Sequence, residues 1–438
     1  MKTPLLNELE KYIASKNARF HMPGHSGICE DGVLSASSYD VTELSFNDNL
    51  NCPSGVLKEL ENNITTFSNT YASLMFTSGT TSAILVGLGL LRCVSKYIAI
   101  DQFSHKSVFE AARHWGYDAT IIPREFSKEG IALPITNLNP FLEENPKVKI
   151  ICLTSPDYLG VCLNTQLIHD LKNRGYYVFI DSAHGSHFRL SPTLPKPLTD
   201  CADIVCESWH KTLPVYTGGS ILQICKGKDE KTLANFANIA RMLRAKTHTT
   251  SPSYITLASI DQALSQMEDI KVKYDEITQR VKNIKEKYSK FYLNIDGEID
   301  QTKLTLNASY EDFEKLGITP EMQFGRYTNF IITPYNMNQL DKLENALKKI
   351  KSINKPMSIK IPKCPNKLPK PIDVAKNVEF LHIEDSFGRI AATDIGSYPP
   401  GVPILYEGQK IRKDHIAFLQ KWNNHTFNLV NGLIPVLK

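Results

Sequence analysis

The chain has 438 residues, 42% of them hydrophobic and 22% charged, with a net charge of +4. That length exceeds one ordinary core and implies two or three domains, and the balance is that of a globular rather than a disordered protein. The small net charge gives nucleic acid no strong field to bind, no run reaches the roughly 20 apolar residues that span a bilayer, and nine scattered cysteines without a leader segment predict reduced thiols and a cytoplasmic location.

Near the start, Leu5, Leu6, Leu9, Tyr12 and Ile13 fall on one face of a helix that Pro4 can open, because proline is preset for the first helical turn. Residues 19–55 are rich in Pro, Gly, Ser, Asn and Asp and carry neither helical nor strand period. So long an irregular arm is either disordered or packed for a purpose. From 60 to 250, helical stretches alternate with apolar runs at 96–100, 147–153, 177–180, 203–206 and 219–224. The alternation predicts an α/β domain of βαβ units, a mainly parallel mixed sheet with helices on both faces. Residues 254–290 read as one long helix with Ile255, Ala258, Ile260, Ala263, Leu264 and Met267 along its apolar stripe. Strand-like pieces at 303–306 and 329–333 and a helix-spaced stretch at 340–350 predict a small α+β domain. Prolines and lysines crowd 360–371 as in a linker, and a last helix starts near Lys413. The expected divisions are an N-terminal helix and arm (1–59), a large domain (60–250), a linking helix with a small domain (251–365) and a C-terminal domain (366–438).

Within the large domain, polar residues follow the apolar runs, and in open α/β sheets ligands gather at the carboxyl ends of the strands. Ile204-Val205-Cys206-Glu207 leads into Ser208-Trp209-His210-Lys211. A lysine amine near apolar neighbours and another cation loses its proton more easily than in water, which makes it competent to form an imine with a carbonyl. Read alone, the same residues are also an ordinary exit from a strand into solvent. Val178-Phe179-Ile180 likewise leads into Asp181-Ser182-Ala183-His184. A carboxylate there can keep the ring nitrogen of pyridoxal 5'-phosphate (PLP) protonated, and small Ala183 leaves room for a flat ring, although strand-end aspartates also cap turns. Ser78-Gly79-Thr80-Thr81 precedes the apolar stretch 83–91, either as a phosphate site at a helix start or as a plain cap. His105 offers an imidazole where a ring could stack. A zinc reading of Asp181, His184 and His187 leaves the lysine and glycine features unused.

Together these residues resemble the Orn/Lys/Arg decarboxylase family, PLP enzymes of fold type I (aspartate aminotransferase-like). The resemblance continues in Arg19-Phe20-His21-Met22-Pro23-Gly24-His25, in Asp40-Val41-Thr42-Glu43-Leu44, in Thr249-Thr250-Ser251-Pro252-Ser253-Tyr254 and in Tyr398-Pro399-Pro400-Gly401-Val402-Pro403, in family order along nearly the whole chain. It implies decarboxylation of arginine, lysine or ornithine to a polyamine-type amine. Lys211 would hold the cofactor as an imine, Asp181 would face the ring nitrogen and Ala183 the ring. His105 would stack on the ring, and His184 would lie near the phenolic oxygen or the substrate carboxylate. The phosphate would be held by Ser78, Gly79, Thr80, Thr81, Ser208 and His210, and by Ser251 of a second subunit, which makes a homodimer the minimum assembly. The arm, with His21, His25 and Glu43, would lie near the site, and residues 154–160 would line the cofactor from behind. Larger members carry an extra N-terminal domain associated with higher oligomers. Here the chain starts close to the Arg19 motif, so a dimer or small tetramer is expected. Two departures stand out, Ser26 in place of a lysine and neutral Gln409 in place of a glutamate that would face the distal cation of the substrate. Glu407, Glu43 and Asp48 are the candidate replacements. The nearest alternative is an aminotransferase, which needs an arginine such as Arg326 or Arg389 to clamp an α-carboxylate. A non-catalytic PLP-binding protein is the alternative of another class.

Overall fold

A computed structural model describes residues 2–16, 32–295, 297–350, 358–373, 378–398, 400–422 and 426–438. His21, His25 and Ser26 lie outside the described residues, as does Pro399. The chain forms two compact units, each discontinuous in sequence. The first comprises Met1–Leu91, Ile168–Thr278 and Thr333–Tyr335; the second comprises Arg92–Leu167, Gln279–Ile332 and Asn336–Lys438.

The large-domain strands are β1 (Ala72–Phe76), β2 (Tyr97–Asp101), β3 (Asp118–Ile122), β4 (Ile150–Thr154), β5 (Tyr177–Asp181), β6 (Ile204–Glu207) and β7 (Ser220–Ile224). In the first unit they run in the order β1-β7-β6-β5. β5 and β6 are parallel, whereas β7 is antiparallel to both β6 and β1. The link from β6 to β7 holds only the four-residue helix Trp209–Thr212, not the longer helix that usually forms the crossover to a parallel partner. β1, β6 and β7 are buried along their whole lengths, as expected of strands covered on both faces. The helix Gly79–Leu91 packs along β1, β6 and β7, and Glu230–Thr247 packs along that helix. Arg244, fully buried, reaches from the second of these helices to Glu61 at 2.5 Å and donates to the Met75 carbonyl at 3.2 Å.

The N-terminal helix Pro4–Ser15 starts where expected and buries Leu5 and Leu9. Its first amides, on Leu5 and Leu6, donate to Asp261 Oδ2 at 2.9 and 3.0 Å. The expected single helix over 254–290 is instead two, Tyr254–Ser265 and Met267–Lys287, separated at Gln266 (φ −95°, ψ 6°). No proline or glycine marks that break.

In the second unit the order is β4-β2-β3, all parallel. The small domain adds β8 (Lys303–Leu306), β9 (Met322–Phe324) and β10 (Tyr327–Ile331), an antiparallel sheet flanked by the helices Tyr310–Lys315 and Leu340–Lys349. Towards the C-terminus, β11 (Val378–Leu381) pairs with β15 (Ile434–Leu437), and β12 (Ile395–Ser397) lies between β13 (Val402–Leu405) and β14 (Thr426–Phe427). The last helix is Lys413–Trp422. Ile395, Leu405, Ile411, Leu419, Ile434 and Val436 form the buried centre of this part. Residues 358–373 form no helix, in keeping with their linker composition. Among the described residues, no helix is long and apolar enough to cross a membrane.

Candidate active site

The strand ends of the first unit bring most of the expected residues together. β5 delivers Asp181, 3% exposed, whose Oδ1 accepts from the Ala183 amide at 3.2 Å. The turn then brings His184 Nε2 to 3.1 Å from Lys211 Nζ. An ammonium only donates, so with Lys211 charged Nε2 is the acceptor and the ring carries its proton on Nδ1. Burial pushes the Asp181 carboxyl above its ordinary range, and the Lys211 charge acts in the opposite direction. A buried acid of this kind is stabilised as the carboxylate by a cationic partner, which is what a protonated pyridine nitrogen offers. The residues present therefore fit PLP.

Two turns are joined beneath this pair. Ser186 Oγ lies 2.6 Å from Thr212 Oγ1 and donates to the Ser208 carbonyl at 3.3 Å, while the Tyr274 hydroxyl donates to the Thr212 carbonyl at 2.6 Å. Trp209, fully buried, donates its indole N–H to Glu207 Oε2 at 3.1 Å, and Gln223 Nε2 donates to the same oxygen at 2.7 Å. The short helix that carries Lys211 is thus fixed on both sides. Glu207, Gln223, Ser186, Thr212 and Tyr274 were missed by the sequence reading. Glu207 and Trp209 stand in the motif itself, so a buried indole needing an acceptor was the available signal.

The expected phosphate residues divide. Thr80 Oγ1 lies 3.2 Å from Ser208 Oγ, and Ser78 Oγ 2.7 Å from Ser82 Oγ. The amide of Gly79 donates to the Gly218 carbonyl at 2.8 Å and is not free for an anion. The amides of Thr80 and Thr81, in the first turn of a helix, are of the kind left without intrahelical partners. His210 Nδ1 lies 3.0 Å from the Gly219 carbonyl and so donates to it, and burial, together with the Lys211 charge, lowers the pKa of its imidazole. Ser251 is exposed, its amide donating to Thr249 Oγ1 at 3.1 Å, and stands outside this cluster.

In the second unit, His105 caps the helix Lys106–His114 by accepting from the Ser107 amide at 3.3 Å. A Cβ at Gly401 (φ +85°) would come within 2.7 Å of the His105 ring, so the Pro400-Gly401 turn closes on the imidazole only because it lacks a side chain. Asp157, in the stretch expected to line the cofactor from behind, accepts from the amides of Leu159 and Val161 at 3.0 and 2.8 Å and shapes its own loop.

Each residue considered for the distal substrate cation makes a hydrogen bond within its own chain. Gln409, 8% exposed, accepts from the Tyr406 amide at 3.1 Å. Glu407 accepts from the Ile372 amide at 2.7 Å and lies 4.0 Å from Arg113, which pairs in turn with buried Asp394 at 2.7 Å. Asp48 binds the Ser54 and Gly55 amides, and Glu43 accepts from the Thr42 hydroxyl at 2.6 Å. The two arginines considered for an aminotransferase are also paired, Arg326 with Glu129 at 2.7 Å and Arg389 with Glu379. Among the described residues, no cluster of His, Cys, Asp and Glu is arranged to hold a metal ion.

Comparison with known proteins identifies the family. Residues 3–304 match the major domain of Orn/Lys/Arg decarboxylases and residues 369–429 their C-terminal domain. The chain is 27% identical to the uncharacterised protein YaaO of Bacillus subtilis, over 96% of this chain and 94% of that one. It is also 27% identical to an arginine decarboxylase of Bacillus subtilis, over 96% and 93%. The fold superposes on the lysine decarboxylase LdcF of Francisella novicida with a TM-score of 0.76 at 18% identity, covering 100% of this chain and 81% of that one. The chain belongs to the Orn/Lys/Arg decarboxylase family, enzymes of the PLP-dependent fold type I.

Proposed function

We propose that the protein decarboxylates a basic amino acid, arginine, lysine or ornithine, with PLP as cofactor, releasing carbon dioxide and a polyamine-type amine. The observation that carries the reading is the 3.1 Å approach of Lys211 Nζ to His184 Nε2 beside buried Asp181. The name of the Bacillus subtilis arginine decarboxylase supports the substrate class. PLP, when bound, supplies the electron sink that takes up the pair left at Cα as the carboxylate departs. Lys211 would hold it, with the phosphate received by Ser78, Thr80, Thr81, Ser208 and His210 and by Ser251 of a partner subunit. Asp181 keeps the proton on the ring nitrogen. His184 accepts at Nε2 from Lys211 Nζ and so can take up a proton as the lysine amine becomes nucleophilic. His105 is assigned to face the ring. The pairing of Arg326 and Arg389 with carboxylates argues for decarboxylation over transamination. We assign cofactor binding to residues 60–250, a homodimer as the working assembly and the cytoplasm as its place, the last supported by free thiols at all described cysteines.

The test incubates purified holoenzyme with a panel of amino acids and follows carbon dioxide together with the amine product. One of the three basic amino acids is expected to be consumed. Decarboxylation of a different amino acid alone would remove the substrate class, and a keto acid product would remove the reaction type. Borohydride reduction should fix the cofactor to Lys211 and to no other lysine, and Lys211→Ala should abolish the label.

A further inference from the structure

The residues leading into the helix Gly79–Leu91 are held from two sides. On one side, a Cβ at Gly218 would sit 2.4 Å from the Thr77 carbonyl oxygen, and Gly218 has φ +102°, so only glycine suits the position. On the other side is His248, 7% exposed. Its Nε2 accepts from the Thr77 amide at 3.2 Å, and its Nδ1 lies 3.3 Å from the Thr249 carbonyl. A backbone N–H only donates and a carbonyl only accepts, so the ring is neutral with its proton on Nδ1. Burial lowers the pKa of this imidazole, and the Arg244 cation lowers it further, which favours the same neutral form. The ring also stands edge-on to Phe76, centroids 5.7 Å apart. Thr77 leads into Ser78 and Gly79, and Thr249 leads into Ser251. One imidazole therefore bonds the backbone of both stretches assigned to phosphate.

We propose that His248 is a positioning residue for the phosphate of the cofactor: it fixes the start of the helix Gly79–Leu91 for the site of its own chain and the 249–251 segment that reaches the site of the partner, without touching either anion. The inference rests on the functional reading above and adds to it a residue outside the family motifs singled out in the sequence. Amides at a helix start hold an anion only when they are aimed at it, because hydrogen bonds weaken steeply off axis. A tether on the preceding residue fixes that aim.

Two variants separate the tether from simple packing. His248→Phe keeps a ring against Phe76 but has no acceptor for Thr77, whereas His248→Gln offers an amide oxygen to the same N–H. Apoprotein prepared from each is titrated with PLP, and amide hydrogen exchange of the peptide containing Thr77 is followed without cofactor. His248→Phe is expected to bind PLP about fivefold more weakly, the scale of one net hydrogen bond, with faster exchange at Thr77 and unchanged exchange in β5 and β6. His248→Gln should recover most of both. Unchanged PLP affinity and exchange in His248→Phe would overturn the inference, as would His248→Gln behaving like His248→Phe. Wild-type protein that takes up no PLP would instead overturn the functional reading, a distinct result.

Discussion

Asp181 is the residue on which the chemistry depends most directly, because its buried carboxylate is costly to ionise and becomes favourable only beside a cation. Asp181→Asn keeps the shape and the oxygen that meets the Ala183 amide but cannot hold the ring nitrogen protonated. The expected result is retained PLP uptake with turnover lowered by about 100-fold or more, measured as carbon dioxide release by a variant shown to carry cofactor. Turnover within a few-fold of wild type would remove the electron-sink role. At this scale the sequence was informative, since Asp181, His184, Ser208, His210 and Lys211 are carried on two successive strand ends and meet. It assigned Gly79 to the phosphate, whereas the amide of Gly79 is spent on Gly218, a partner too far away in the chain to be foreseen. It also passed over His248, which looks like any histidine before Thr249 until Thr77 is seen opposite it.

Among the elements, the N-terminal helix Pro4–Ser15 is tied to the helix Tyr254–Ser265 through one carboxylate. Asp261 Oδ2 takes the Leu5 and Leu6 amides, while Oδ1 is buried with no hydrogen-bond partner among the described residues. Burial pushes this carboxyl up to about 6. A folded-state value above the unfolded one of about 3.9 means the native protein holds the proton more tightly, so the contribution is fully present below about pH 4 and is lost as pH rises through 6. Asp261→Asn should remove this slope. Between pH 4 and pH 7 its stability relative to wild type is expected to improve by on the order of 2 kcal/mol, read from urea unfolding at each pH. A parallel pair of curves would refute the assignment. Asp261→Ala, which removes the acceptor altogether, should speed hydrogen exchange in residues 4–15 first. The same helices mark a limit of sequence reading, because the break at Gln266 carries no proline or glycine and is visible only in the backbone. The antiparallel β7 was not legible either, since a link of residues 208–219 is long enough for either strand direction.

At the scale of the whole molecule, Thr249, Thr250 and Ser251 are exposed on a single chain, as suits a segment that completes the phosphate site of a second copy. Mixing Lys211→Ala with Ser251→Asp under conditions of subunit exchange should restore activity that neither variant has alone, because one of the two sites in each hybrid dimer is intact. Absence of recovery, with exchange demonstrated by mass, would mean that each chain completes its own site. The domain divisions expected from the sequence follow the order of the chain, whereas the two compact units do not: residues 92–167 belong with 279–332 and 336–438, while 168–278 belongs with 1–91. This interleaving bears on synthesis. As the chain leaves the ribosome, β2, β3 and β4 emerge early, yet the rest of their unit is made last. The packing of their own unit is completed only after more than a hundred further residues are made, a period in which exposed apolar surface invites misassembly. Nascent chains arrested once residue 278 has cleared the ribosome should therefore protect the Lys211 segment from protease while 92–167 is cleaved faster than in the full-length protein, and holdase chaperones should favour that interval.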